Sequence, residues 1–582
     1  MRLGAELDDS GVTFALFTTT ASRCSVELAT ADGAPLGDLP MKREVGGFFV
    51  ARRDGLGAGT LYRFVLDGKP LPDPYARALP EGVHGRARVV DLRYPFAHAC
   101  VSRPLAEHVI YELHVGTFTP GGTFASAKAR LPYLADLGVT MIELMPVAAF
   151  AGERGWGYDG VALFAPHAAY GTPRDLQELV DEAHRLGLAT CLDVVYNHLG
   201  PDGNYLASYS PEYFAKSESP WGQSFDWSHP IARELVLSNA MQWLASYRFD
   251  ALRLDAIHHI DDRSERPILA ELAQRVATLS PKRLLIAEDE RNDPTCIESW
   301  GLDAMWADDF HHQVRVTLTG EREGYYAAFT PGVADVAKAI DRGWLYEGQY
   351  YAPTKKHRGR PATTLARERL VYCLENHDQV GNRPAGDRLS RAVSLDTYCA
   401  VSLLLLLLPA TPLIFMGQEW CATTPFAYFT DHAPELGRAV TEGRRHEFAD
   451  FPGFSDPSRV PDPQAIETFR ASKLDWNEPW EGDHRRVHEL YRAALAARRS
   501  DPLLRATSRD ALRARADGEL LVVIHRAGED VRGVVVNFGD APRSPREIPE
   551  LDGARAVLWS SEAHPGQMLP PHTTVLFSGR SR

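Results

Sequence analysis

Four short stretches carry the residue types that acid–base and nucleophilic chemistry on a neutral substrate needs. They are Asp193-Val-Val-Tyr-Asn197-His198, Arg253-Leu-Asp255, Glu288, and Glu375-Asn-His377-Asp378. Each follows an apolar run of strand length. Arg253 and Asp255 are two residues apart, so both project from one face of their strand. A guanidinium beside a carboxylate keeps it ionised and fixes its orientation, as a nucleophilic carboxylate requires. Glu288 is approached through Leu284, Leu285, Ile286 and Ala287, and apolar surroundings raise a carboxyl pKa, as a general acid requires. Two such carboxyls roughly 5 Å apart make a retaining glycosidase. Asp378 with His377 suits the hydroxyls of a distorted sugar ring. Taken singly, each residue has a plainer reading: a loop cap, a satisfied structural histidine, an ion pair. Their joint occurrence at the ends of successive strands points to a site. Aromatic residues crowd the same loops: Trp156, Tyr158, Tyr196, Tyr205, Trp221, Trp227, Trp306 and Trp420. Any one of them is ordinary core packing. Together on one rim they suit the C–H faces of pyranose rings.

The elements that must position these residues alternate. Strand text at 109–115, 139–144, 188–195, 249–255, 284–288, 303–308, 369–375 and 412–417 is separated by helical text. The clearest helix, 175–186, has Thr172 to cap it, Pro173 in its first turn and Gly187 to end it. A further helix is predicted through Ala125 to Leu137. Alternating β and α text implies a parallel sheet, and eight repeats over about 380 residues predict a (β/α)8 barrel with loop insertions. In such a barrel the reactive groups sit at the C-terminal ends of the strands, where all four stretches fall. A doubly wound open sheet is the alternative, but no Gly-rich first turn supports it. Residues 1–95 read as short alternating strands, with GLGAGT at 55–60 taken as a turn because a strand follows it. Residues 491–582 return to antiparallel β text, leaving 96–490 for the barrel.

Composition narrows the function classes. The chain has 582 residues, 44% hydrophobic, and a formal net charge of −14. An acidic chain with scattered basic residues is not built for a phosphate backbone, which excludes nucleic acid as the expected partner. The longest apolar run, Ala400 to Met416, is interrupted by Pro409 and Pro412 and reads as a buried helix followed by a buried strand, so no membrane association is expected. Seven cysteines stand in no C-x-x-C pair. With an acidic N-terminal stretch that lacks a signal peptide's apolar core, they indicate a reducing, cytoplasmic location without a zinc site.

DVVYNH (193–198), ALRLDAIHH (251–259), the Glu288 stretch and ENHD (375–378) resemble the four signature regions of the α-amylase family, glycoside hydrolase family 13. The resemblance implies that Asp255 is the nucleophile, Glu288 the general acid/base and Asp378 the transition-state stabiliser. Arg253 would position the nucleophile, and Asp193 would support the site from the third strand. His198 and His377 would bind the glucose on the non-reducing side of the cut, with Tyr158 stacked on it. Further segments, among them YELHVGTFTPGGTF (111–124), GWGYDGV (155–161), FAPHAAYGTP (164–173), DDFHH (308–312) and PFAYFTDH (425–432), resemble the maltooligosyltrehalose trehalohydrolase branch over nearly the whole chain. That branch implies an N-terminal immunoglobulin-like β-sandwich, the barrel and a C-terminal β-domain. Its reaction releases α,α-trehalose from a maltooligosyltrehalose supplied by a partner synthase. The acceptor-side subsites are expected around His258, Asp289, Glu290, Trp306 and Asp308.

Two departures from the wider family stand out. His258-His259 replaces a common Lys-His pair, and Gln418 stands where an acidic residue is common. The region after the third strand, about 30 residues from His198 to the next helix, has no room for a large calcium-binding insertion. No metal and no cofactor is expected. A glycogen branching enzyme and an α-1,6 debranching enzyme share parts of the pattern. The first usually lacks the Tyr-Asn of DVVYNH and the second FAPHAAYG. A catalytically dead scaffold would lack one of Asp255, Glu288 and Asp378.

Overall fold

The computed structural model describes residues 3–219, 222–448, 456, 459–562, 564–566 and 568–580. Eight parallel strands close into a barrel in sequence order. They are β1 (Ile110–Leu113), β2 (Met141–Leu144), β3 (Ala189–Val194), β4 (Ala251–Leu254), β5 (Leu284–Ala287), β6 (Ala304–Trp306), β7 (Leu370–Tyr372) and β8 (Thr411–Phe415). Each lies within a stretch read as a strand from sequence, except that β8 begins one residue earlier, at Thr411. The strands are short and almost wholly buried, because helices cover the outside while side chains fill the inside. Register partners in a parallel pair point the same way, so pairing Glu112 with Glu143 and Asp193 with Arg253 stacks ionisable groups inside the barrel.

The helix Pro173–Arg185 begins as the sequence predicts. Thr172 accepts from the Asp175 N–H, and Asp175 returns the bond to the Thr172 N–H at 2.8 Å. The helix expected through Ala125 to Leu137 is instead two, Phe124–Lys128 and Leu131–Leu137. Pro132 has no N–H to donate back to Lys128, so it sits in the first turn of the second helix rather than inside one continuous helix. Gly138 closes that second helix at φ 105°, a conformation open to glycine.

Two antiparallel sheets form the N-terminal part. One orders Gly4–Leu7, Gly11–Phe17, Phe48–Asp54 and Lys42–Arg43; the other is built on Cys24–Ala29 and Leu61–Leu66. Phe14 of the first meets Tyr62 of the second edge to face at 5.1 Å. Residues 55–60 form the turn into Leu61–Leu66. The sandwich is fixed to the barrel through the excursion after β3: Thr18 donates to the Tyr209 carbonyl at 2.6 Å, Tyr209 donates to the Pro72 carbonyl at 2.9 Å, and the Tyr75 and Tyr213 hydroxyls meet.

The C-terminal sheet has five antiparallel strands, Leu512–Asp517, Leu520–Ala527, Asp530–Asn537, Thr573–Arg580 and Arg555–Trp559 in spatial order. The helix Gly482–Ser500 runs through the 490/491 position on its way to this sheet. The Leu-rich run forms the helix Leu395–Leu407 followed by β8. From Thr397 onward that helix is buried on every face, between helix Gly482–Ser500 and the strands Asp530–Asn537 and Thr573–Arg580. Among the described residues no helix is long and apolar enough to cross a membrane. All seven cysteines are free thiols.

Candidate active site

The C-terminal ends of β3, β4, β5 and β7 converge on a cavity of about 900 Å³. Arg253, wholly buried on β4, organises its floor. One guanidinium nitrogen, Nη1, donates to both oxygens of Asp193 at 2.9 Å and to Asp255 Oδ1 at 2.8 Å. The other, Nη2, lies 2.8 Å from Glu288 Oε2. Its flat face rests on the Trp306 ring at 4.2 Å. Asn197 donates to Asp255 Oδ2 at 2.8 Å, so both oxygens of that carboxylate are held. Just after Asp255 the chain turns through Ala256, which has a left-handed φ of 38° and whose N–H donates to Glu288 Oε2 at 2.8 Å. Non-glycine residues avoid this conformation, and its presence between two carboxyls marks a place where the fold enforces geometry.

The electrostatics separate the two carboxyls. Burial works to raise the Asp255 pKa, but Arg253, His198 and the Asn197 bond outweigh it and leave Asp255 below the usual carboxylate range. Burial also raises Glu288. Arg253 opposes it, but the negative charges of Asp255, Asp378 and Asp308 add to it, and Glu288 stays well above the usual range. One guanidinium cannot offset burial together with the charges of Asp255, Asp378 and Asp308, so Glu288 is the carboxyl that holds its proton most tightly. Burial likewise lifts Asp193, to about 6 against the pull of Arg253.

A second layer closes the opposite wall. Tyr158 donates to Asp193 Oδ2 at 2.6 Å, and its hydroxyl lies 2.8 Å from His377 Nε2. The Tyr158 ring stacks on the His377 imidazole with centroids 5.1 Å apart. His377 Nδ1 is 2.6 Å from Glu112 Oε1, and its Nε2 is 3.5 Å from Asp378 Oδ2. Burial pulls the His377 pKa down, but Asp378 and Glu112 carry it up to about 10. Asp378 is steadied by the Asn382 amide at 3.1 Å and keeps a third of its side chain exposed to the cavity. His198 contacts the Asn197 side chain and lies 3.1 Å from the Tyr158 carbonyl, and burial lowers its pKa.

The cavity surface brings together Asp255, Glu288, Asp378, Trp156, Tyr158, His198, His258, Asp308 and His377. Arg253 and Asp193 lie beneath it and touch the carboxyl groups and Tyr158. Asp308 is held by His311 at 3.2 Å, and His258 faces Glu290 at 3.8 Å. Of the other residues expected on the acceptor side, Asp289 is turned away and bound by Arg291 at 2.7 Å, while Trp306 is buried under Arg253.

The aromatic rim is thinner than the sequence suggests. Trp156 stacks on Phe426, with a centroid distance of 5.1 Å, and still borders the cavity. Tyr196 bonds Asn239 in the core; Trp227 and Trp420 are core residues; Tyr205 bonds His84 near the sandwich. Trp221 lies outside the described residues. In their place the cavity is bordered by Tyr325, Tyr351 and Tyr428. Tyr351 belongs to a hairpin, Gln349–Tyr351 with Lys356–Arg358, that nothing in the local text ties to the site. Arg358 docks it by donating to the Glu290 carbonyl at 2.7 Å and pairing with Asp309 at 3.0 Å. The Glu112 signal was a lone charge inside an apolar strand, IYELHV, and sequence reasoning passed over it.

Among the described residues, one cluster has metal-ligand types, Cys100, His184 and Asp250. It precedes β4 and so lies at the other end of the barrel. Asp250 is already bonded by His184 at 2.8 Å and by the Thr190 and Val101 N–H groups, while Arg283 donates to the Cys100 sulfur at 2.9 Å. A cation against the sulfur makes this a hydrogen-bond hub rather than a place for a metal ion.

A family model described as the α-amylase catalytic domain matches residues 71–211. The chain is 50% identical over 546 residues to a protein of Deinococcus radiodurans named malto-oligosyltrehalose trehalohydrolase, covering 93% of this chain and 89% of that one. It is 39% identical over 487 residues to a protein of the same name from Saccharolobus solfataricus, covering 82% and 84%. A crystal structure described as a putative α-amylase from Salmonella typhimurium superposes with a TM-score of 0.92 at 36% identity, covering 99% of both chains. A group B Streptococcus pullulanase in complex with maltotetraose shares the fold at a TM-score of 0.76 and 16% identity, covering 100% of this chain and 88% of that one.

Proposed function

The chain belongs to the malto-oligosyltrehalose trehalohydrolase family, within the α-amylase family of glycoside hydrolases, and from that premise we propose that it hydrolyses the α-1,4-glucosidic bond next to the terminal trehalose of a maltooligosyltrehalose, with retention at the anomeric carbon. The products are α,α-trehalose and a maltooligosaccharide. The observation that carries the chemistry is the single Arg253 guanidinium gripping Asp255 and Glu288, each at 2.8 Å, with their pKa values driven apart.

Asp255 attacks the anomeric carbon as Glu288 gives its proton to the departing glycosidic oxygen, so the C–O bond breaks as the ester bond to Asp255 forms. Glu288 Oε2 accepts from the Ala256 N–H, which leaves Oε1 to carry the proton. The ionised Glu288 then takes a proton from water, and the hydroxide displaces Asp255 to restore both groups. Asp378 grips the hydroxyls of the distorted ring. Tyr158, His198 and His377 hold the glucose on the non-reducing side, with Trp156 behind them.

The acid must stand on the leaving-group side. The wall beyond Glu288, made by His258, Glu290, Asp308 and the Gln349–Arg358 hairpin, is therefore where we place the trehalose unit. Every residue in this scheme falls between 96 and 490, and we assign the sheets of 1–95 and 491–582 a buttressing role as separate domains. Seven free thiols support a cytoplasmic location, and the substrate's chemistry calls for a synthase upstream that builds a trehalose end on a maltodextrin.

The test is a product assay on maltotriosyltrehalose and maltopentaose in parallel. Trehalose plus maltotriose from the first, with the second nearly untouched, is expected. Equal cleavage of both would reduce the activity to general α-1,4-glucan hydrolysis and overturn the trehalose-side placement.

A further inference from the structure

We propose that Glu112, buried on β1 away from the cavity surface, is a positioning residue of the reaction that holds His377 as a doubly protonated imidazolium against Tyr158 and Asp378. The proposal rests on the reading of His377 as a sugar-binding residue.

Hydrogen-bond accounting fixes the charge state. Glu112 Oε1 lies 2.6 Å from His377 Nδ1, and a carboxylate only accepts, so Nδ1 carries a proton. Oε2 of the same carboxylate accepts from the His377 backbone N–H at 3.0 Å, which sets the ring's position as well as its tautomer. On the other side, Nε2 is 2.8 Å from the Tyr158 hydroxyl. That hydroxyl has one proton, and it is spent on Asp193 Oδ2 at 2.6 Å. Above its pKa of about 6 Asp193 has no proton to give back, and both of its oxygens then accept from Arg253. The Tyr158 oxygen therefore accepts, and Nε2 must also carry a proton. With both ring nitrogens protonated, His377 is a cation 3.5 Å from Asp378 Oδ2.

The neighbours agree. The titratable or charged groups that face His377 are Glu112 and His114 from β1 and its end, Glu143 behind Glu112 on β2, Tyr158, Asp193, Arg253 and Asp378. Burial, the Glu112 charge and Asp193 raise Glu143 to about 8, so it is neutral at pH 7 and does not compete for the imidazolium. Burial lowers His114 to about 3, so it adds no positive charge. The line Glu112–His377–Tyr158–Asp193–Arg253 thus links the wall that holds the sugar to the guanidinium that holds Asp255 and Glu288.

The experiment compares Glu112→Gln and Glu112→Asp with the unaltered enzyme, reading kcat/KM against pH on maltotriosyltrehalose. Glutamine keeps the shape and removes the charge, so His377 loses its proton as pH rises through neutrality. Activity of Glu112→Gln should be near that of the unaltered enzyme at the acid end and fall away with rising pH, by on the order of ten- to a hundredfold at the alkaline end. Glu112→Asp should recover most of the original profile. A loss of equal size at every pH, or none, overturns the proposal. A second measurement needs neither variant to fold and no substrate. In the unaltered protein labelled with ring-¹³C histidine, an imidazolium resonance should persist at pH 8.5 and vanish in His377→Asn. If no imidazolium signal depends on residue 377, the proposal fails whatever the enzyme cleaves.

Discussion

Asp255 and Glu288 are the same chemical group in two environments, and Arg253 alone does not explain the difference. It contacts both at 2.8 Å. What separates them is the rest of each shell: Asp255 has Asn197 and His198, whereas Glu288 faces Asp255, Asp378 and Asp308. Asp255→Asn should therefore abolish turnover while substrate binding and the melting temperature stay close to those of the parent, checked by calorimetry on the inactive protein. Substantial residual hydrolysis would remove Asp255 from the nucleophile's role. Glu288→Gln should cost far more with a sugar leaving group than with an activated aryl one. The pH profile of kcat/KM has a sign set by the same shifts. In the proposed reaction Asp255 works ionised, and its pKa is lowered, so the acid limb should lie below the ordinary carboxylate range. In the same proposed reaction Glu288 works protonated, and its pKa is raised, so the alkaline limb should lie well above that range. With an aryl substrate, Glu288→Gln should lose that alkaline limb; its persistence would assign it elsewhere.

At the scale of elements, the departure at Gln418 has a structural use. Its side-chain oxygen accepts from the Phe415 N–H at 3.1 Å, and its amide donates to Tyr491 at 2.9 Å. It therefore ties the end of β8 to the helix Gly482–Ser500, and it is fully buried. Gln418→Leu leaves the Phe415 N–H and the Tyr491 hydroxyl short of partners, at a cost of about 2 kcal/mol. Thermal denaturation should show a lower midpoint with kcat little changed; an unaltered midpoint would mean that other groups satisfy both partners. The neighbouring Glu419, raised to about 7 by burial and bonded by Tyr111 at 2.9 Å, is the acidic residue of this turn. The strand ends and the capped helix 173–185 were legible because periodicity and capping are local. The break at Pro132 was legible in principle, since a proline cannot join a helix interior. The Gln349–Arg358 hairpin was not, because its place at the site depends on Arg358 reaching Glu290 and Asp309 across the chain.

The whole molecule explains two features that no element explains by itself. Beyond its first turn the helix Leu395–Leu407 is almost wholly apolar on every face, which would be untenable on a barrel exposed to water, and the C-terminal sheet covers its outer side. Thr574 donates to the Ala400 carbonyl at 2.7 Å across that contact. The N-terminal sandwich does the same for Tyr209 and Tyr213, both buried beneath it. Removing residues 1–95 should therefore give an aggregating or strongly destabilised protein, measured by size-exclusion chromatography and melting temperature. A monodisperse truncated protein with the parent's melting temperature would show that the excursion after β3 carries itself.

The sequence by itself determined the barrel, the strand ends that bear Asp193, Arg253, Asp255, Glu288 and Asp378, and the family, because each rests on spacing along one strand or on motifs a few residues long. Only the tertiary structure decided which carboxyl keeps its proton, which aromatics border the cavity and that Glu112 reaches His377. Those depend on burial and on charges brought within a few ångströms from strands far apart in the chain, and neither distance nor desolvation is written in any single segment.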